Sequence, residues 1–377
     1  MPLPDHRRPA VPRVVLDLEK LRHINCGLGR FSLHLAESLL AECGGRIDPV
    51  LLLPARGAWP FAGRGVPMIR ARPWHKEQFR RVWRPLVRPL LPPPRYQLWH
   101  MTNQMSRYEP LDPRVPMLLT IHDLTFLHEA AAAADPVPIR RQLADIQRRV
   151  DRSLAIAVDT EFVAADVRRS LDVGSRPVHV IPLGLVTPRV AAERPRFLRD
   201  GRPFLLSVGN ALPHKNLLVL LDLVEAMGDY RLVLAGTMAT EYGAALRREV
   251  AIRGLQDRVV LPGEVSDADR QWLYEHCIAF LFPSRSEGFG LPVLEAMAAG
   301  RPVFVSRLTS LPEITGEHGF YFDSFEAAAM AAVLRAGLAR AADEPQFLAR
   351  AREHARRFTW AETARRYAEL YVQLARA

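Results

Sequence analysis

Short apolar runs rich in Val, Ile and Leu recur along the chain, each followed by a stretch with apolar residues at helical spacing. Runs that are continuous rather than alternating fit strands buried on both faces, and the intervening period of about 3.6 residues fits covering helices. In the first half the expected strands are "RVVLDL", "PVLLL", "VPMIRA", "QLWHM", "PMLLTI", "LAIAV" and "VHVIPL". The pattern restarts with "PFLLSVG", "YRLVLAG", "RVVLPG", "IAFLFP" and "PVFVS". Between the halves, Leu185 to Arg202 is rich in Pro and Arg and poor in apolar periodicity, as a linker would be. The end, "FTWAETARRYAELYVQLARA", has Thr359 as a cap with Glu362 three residues on, then a long amphipathic pattern. The expected fold is α/β: a Rossmann-like domain over 1–184, a linker over 185–202, a second Rossmann-like domain over 203–357 and a closing helix over 358–377 that returns toward the first domain. Two such domains facing a central cleft would present loops from the carboxyl ends of their strands.

The length, 377 residues, agrees with two cores rather than one. With 49% hydrophobic and 24% charged residues the chain reads as soluble and globular. The opening "MPLPDHRRPAVPR" carries no apolar leader and no run approaches a membrane span, so a cytoplasmic location is expected. Cys26, Cys43 and Cys277 have neither metal-ligand spacing nor the number for a disulfide framework. The 51 Lys and Arg against 41 Asp and Glu give +10, which suits phosphate-bearing ligands, nucleic acid or an anionic membrane alike. No zinc-finger or RRM signature accompanies it, so no nucleic-acid partner is expected.

The candidate chemistry lies in loops at strand ends. "SRSEGFGLPVLEAMAAG" spaces Glu287 and Glu295 across Gly288, Gly290 and Pro292 at the entry to a helix. Paired carboxylates suit acid and base work, a glycine-flanked helix start suits an anion, and both acids also suit an ordinary helix N-terminus. Gly27 and Gly29 precede another helix, but Ser32 stands where a dinucleotide fingerprint has its third glycine. His122 and Asp123 follow a strand, where His122 either meets a substrate hydroxyl or caps the strand end. In "SVGNALPHKNL" Gly209, Asn210 and Lys215 stand where a diphosphate would be met, Lys215 as a mobile point charge. Asp267 and Asp269 have the spacing of a divalent-cation pair, yet they follow Ser266 at a helix start, which the dipole favours.

Taken together, "VGNALPHKN", "SRSEGFGLPVLEAMAAG", "SLPEITGEHGFYF" and "FTWAETA" resemble glycosyltransferase family 4, retaining enzymes of GT-B fold. The resemblance is strong over Pro203 to Ala377 and looser before it, where "NCGLGRF", "TIHDLTF" and "VIPLGL" fall in the family's order. "GN" with "PHKN" looks like a branch that often uses GDP-mannose to build bacterial surface polysaccharides. The resemblance implies that Glu287 meets hydroxyls of the donor sugar and Glu295 the ribose. It implies that Gly288, Phe289, Gly290 and Leu291 face sugar and diphosphate, and that Lys215 neutralises the diphosphate. His122 would lie near the sugar's primary hydroxyl, and Gly29 near the phosphates and acceptor. Asn210 stands where members often have arginine, so one charge of the pattern is missing. The implied reaction needs no metal and no cofactor: the leaving diphosphate itself can take the acceptor's proton, and Glu287 positions the sugar. A sugar-nucleotide epimerase of the same fold and a non-catalytic membrane scaffold are the alternatives.

The acceptor is expected to be a glycan or a polyprenyl-diphosphate-linked oligosaccharide. The stretch from Arg70 onward, "RARPWHKEQFRRVWRPLVRPLL", mixes Arg80, Arg81 and Arg84 with Trp83. Such mixing suits either peripheral contact with the inner face of an anionic membrane or a solvated helix with its rings turned inward.

Overall fold

The computed structural model describes residues 11–376 apart from 25, 58, 62, 73–75, 77–93, 130–136, 187–189, 199–200 and 229. Arg80, Arg81, Trp83 and Arg84 lie outside the described residues. The chain divides into two compact units, Met1–Gly184 with Thr359–Ala377, and Leu185–Phe358.

Unit 1 is built on strands β1 (Arg13–Asp17), β2 (Asp48–Leu53), β3 (Met68–Arg70), β4 (Leu98–Met101), β5 (Met117–Ile121), β6 (Ala155–Val158) and β7 (Val178–Val180). They form one parallel sheet in the order β3-β2-β1-β4-β5-β6-β7. Unit 2 repeats the plan with β8 (Phe204–Val208), β9 (Arg231–Ala235), β10 (Val259–Gly263), β11 (Ala279–Phe282), β12 (Val303–Ser306) and β13 (Phe320–Phe322), ordered β10-β9-β8-β11-β12-β13. The two parallel-sheet Rossmann-like domains expected from the apolar runs are both present. The edge strand β13, the "FYF" that ends "SLPEITGEHGFYF", was not among the expected strands. Central strands are buried along their whole length, as the four residues of β4, β6, β11 and β12 illustrate. Strand order reverses between β1 and β4 and between β8 and β11, and in doubly wound sheets ligands bind beyond the carboxyl ends at such a reversal.

The final helix, Trp360–Arg376, is part of unit 1 and buries Ala364, Tyr367, Tyr371 and Leu374. The Tyr371 hydroxyl bonds His100 Nδ1 at 2.7 Å, His100 Nε2 bonds Thr120 Oγ1 at 2.7 Å, and Thr120 Oγ1 bonds the Tyr367 hydroxyl at 3.0 Å. Burial pulls the His100 pKa down to about 3, so this chain of bonds runs through a neutral imidazole. The segment expected as a linker is instead packed into unit 2 where it is described. Leu198 is buried, Glu193 N–H donates to the Ala268 carbonyl at 3.2 Å, and the Arg194 guanidinium lies over the Trp272 ring at 5.7 Å. Its Pro and Arg content hid that apolar anchor. Among the described residues no helix is long and apolar enough to cross a membrane.

Candidate active site

In unit 2 the loops after β8, β11 and β12 meet at the strand-order reversal. After β8, Gly209 turns the chain and Asn210 is exposed. A short helical turn, Pro213–Lys215, then ends at Asn216 in left-handed conformation, which Asn tolerates. That turn brings Lys215 back over the sheet, with its ammonium 4.9 Å from the centre of the Phe282 ring at the end of β11.

The loop after β11 runs from Pro283 to Gly290 and enters the helix Leu291–Ala298. Gly290 is the N-cap with φ of 107°, a left-handed backbone that favours glycine, and a Cβ there would also press on the end of the Leu311 side chain at 2.9 Å. Pro292 in the first turn needs no amide partner. Lys215 Nζ donates to Glu287 Oε1 at 2.6 Å, and both side chains are mostly shielded, at 15% and 11% exposure. Tyr274, from the helix Asp267–His276, donates its hydroxyl to Glu295 Oε2 at 2.7 Å. Burial and the Glu295 charge hold that phenol well above its ordinary pKa, so it remains a donor. Phe289 is buried against Phe358 with ring centres 5.9 Å apart.

The structure therefore places Gly209, Asn210, Lys215, Glu287, Gly288, Phe289 and Gly290 in adjoining loops of one unit, and Leu291 and Glu295 on the helix that follows. It also ties Glu287 to Lys215, a contact across 72 positions that no sequence spacing announces. Asp267 and Asp269 serve their own helix instead: Ser266 and Asp269 close a capping box, and Asp267 pairs with Arg270 at 2.9 Å. Among the described residues no cluster of three or more His, Cys, Asp or Glu side chains is arranged to hold a metal ion.

Unit 1 carries the other expected residues. Gly29 lies in the first turn of the helix Gly27–Glu42 and is buried against the preceding turn; a Cβ would stand 2.2 Å from the His23 carbonyl oxygen. Its amide donates to Cys26 Sγ at 3.4 Å, so Cys26 acts as the helix cap. His122, just past β5, is 6% exposed, and Phe31 stands edge-on to it at 4.4 Å. Its Nδ1 meets Asp159 Oδ2 at 2.7 Å and its Nε2 meets the Thr102 carbonyl at 2.9 Å. A carbonyl only accepts, so Nε2 carries a hydrogen, and one further proton is shared between Nδ1 and Asp159. Burial alone would lower the imidazole pKa, but the Asp159 charge and hydrogen bond raise it. Both ring nitrogens are thus committed within unit 1, and a sugar hydroxyl would have to replace the Thr102 carbonyl. Sequence reasoning missed Asp159, 37 positions from His122, and the buried Asp17 at the end of β1. Burial pushes the Asp17 pKa up to about 7 despite hydrogen bonds from Ser106 and the Glu19 amide.

Against known proteins, residues 191–358 match the family of glycosyl transferases group 1. The chain is 32% identical over 194 residues to the serotype-specific mannosyltransferase WbdA of Escherichia coli, covering 49% of this chain and 24% of that protein. It is 33% identical over 163 residues to O-antigen chain mannosyltransferase B of Escherichia coli, covering 42% of each. It therefore spans well under half the length of these relatives. The fold is similar to that of sucrose-phosphate synthase from Thermosynechococcus elongatus, with TM-score 0.74, 20% identity, and coverage of 96% of this chain and 99% of that one. The match with glycosyl transferases group 1 includes every loop just assembled in unit 2, from Gly209 to Glu295.

Proposed function

We propose that the protein is a retaining glycosyltransferase that moves a sugar, best matched by mannose from GDP-mannose, onto a glycan or lipid-linked oligosaccharide of a bacterial surface polysaccharide. The observation that carries this reading is the Lys215–Glu287 pair beside the Gly290 helix start, at the strand-order reversal of a glycosyl transferases group 1 domain. The O-antigen and serotype-specific mannosyltransferases among its relatives support the choice of sugar and product class.

In this reading Glu295, oriented by Tyr274, takes the ribose hydroxyls and Glu287 takes hydroxyls of the sugar. The diphosphate lies between them, against Gly288 to Leu291 and Lys215. As the anomeric carbon–oxygen bond to phosphate breaks, negative charge grows on the diphosphate, and Lys215 with the helix start stabilises it. The acceptor oxygen bonds to the anomeric carbon from the same face, and its proton passes to a diphosphate oxygen. No protein nucleophile and no metal ion is needed for that balance. Unit 1 is assigned the acceptor side, Gly29 included, and His122 a sugar hydroxyl that it reaches by releasing the Thr102 carbonyl. The reaction is assigned to the cytoplasmic side of the membrane, where sugar nucleotides are made.

A thermal-shift panel of GDP-, UDP- and ADP-sugars tests the donor, because a ligand that binds only the native state raises the melting temperature. GDP-mannose should give the largest rise, and Lys215→Met should reduce it by loss of a charge-assisted contact to phosphate. A larger rise with UDP- or ADP-sugars would overturn the choice of GDP-mannose.

A further inference from the structure

Thr309, in the loop between β12 and the helix Leu311–Thr315, has φ of 54°. A β-branched residue in the left-handed region is a genuine outlier, since its Cβ crowds the backbone where glycine would not. Such strain persists where surrounding contacts over-determine it, and here the contact is specific. The Glu287 N–H donates to Thr309 Oγ1 at 3.0 Å. The next residue completes the grip: the buried Ser310 hydroxyl donates to the Glu287 carbonyl at 2.9 Å and lies 3.2 Å from the Phe289 carbonyl. The peptide groups on both sides of the Glu287 α-carbon are therefore held by side chains of the β12 loop, across 22 and 23 positions of sequence. Ser306, at the end of β12, adds a bond to the Ser284 carbonyl.

We infer that Thr309 is a positioning residue for donor transfer: its strained backbone places a hydroxyl under the Glu287 amide and so fixes the direction in which the Glu287 carboxylate meets the sugar. A residue chosen only for the turn would be glycine, which costs no strain there but supplies no acceptor. The inference rests on the reading of Glu287 as the carboxylate that positions the donor.

The test compares Thr309→Gly and Thr309→Ser with wild type in melting temperature and in steady-state kinetics with saturating acceptor. Glycine relieves the strain and so offsets the lost hydrogen bond, and Thr309→Gly should stay folded at the assay temperature yet lose about tenfold or more in kcat/KM for the donor, as misplacement of a positioning group does. Serine keeps the hydroxyl and should stay within about threefold of wild type. In a double-mutant cycle with Glu287→Ala, Thr309→Gly should cost little further, because the two act through one contact. Thr309→Gly at wild-type kcat/KM, or full additivity in the cycle, would overturn the inference. If instead wild type itself turns over no sugar nucleotide, the functional reading has failed, and the two failures are distinct.

Discussion

At the scale of single residues, the acids of this chain differ by what surrounds them. Glu287 meets an ammonium and Glu295 a phenol, each held by a partner far away in sequence. Asp17 is fully buried and takes hydrogen bonds from neutral donors, so its burial raises its pKa to about 7 against an unfolded value near 3.9. The folded protein thus holds this proton more tightly than the unfolded chain. Between pH ~4 and ~7 the unfolded state releases it first, and stability falls as pH rises, until the loss is complete above the folded pKa. Asp17→Asn removes that slope. Urea midpoints at pH 5 and pH 8 should show the variant gaining on wild type at the higher pH, by at most about 3 kcal/mol. Parallel profiles for the two proteins would show that Asp17 is ionised in the fold.

Among elements, the closing helix illustrates how a polar network can specify a docking register. Its apolar face supplies the area, but the bonds from Tyr371 to His100 and from Tyr367 to Thr120 fix which turn of the helix meets β4 and β5. Tyr371→Phe keeps the ring and leaves the buried His100 Nδ1 without its partner, at a cost of about 1–3 kcal/mol. Chemical denaturation measures this directly, and an unchanged midpoint would mean that the network adds nothing. The helix itself was legible from "FTWAETA" and its amphipathic period, and so was the cap that Ser266 provides for Asp267–His276. Its partners were not legible, because His100 lies 271 positions from Tyr371 and a local pattern carries no such information. The same holds for the candidate site. The glycines, Pro292 and the lysine marked the loops at the strand ends and the helix start. The Lys215–Glu287 bond, the Tyr274 donor to Glu295 and the Thr309 strain arise only when strands distant in sequence become neighbours.

For the whole molecule, the apolar runs were enough to foresee two parallel sheets, because strands buried on both faces cannot disguise their composition. They misled at the segment 185–202, where Pro195 and Leu198 are buried among exposed arginines. The basic balance, +10, named no partner by itself; the proposed sugar-diphosphate ligand rests on the loops of unit 2 instead. Glu287 is proposed to position a sugar donor in that unit. The most direct measurement is sugar transfer from GDP-mannose to a lipid-linked glycan acceptor in the presence of EDTA, by wild type and by Glu287→Ala at matched melting temperature. Wild type should transfer without metal, and the variant should lose about 100-fold or more. Equal turnover by the two proteins would contradict that role for Glu287.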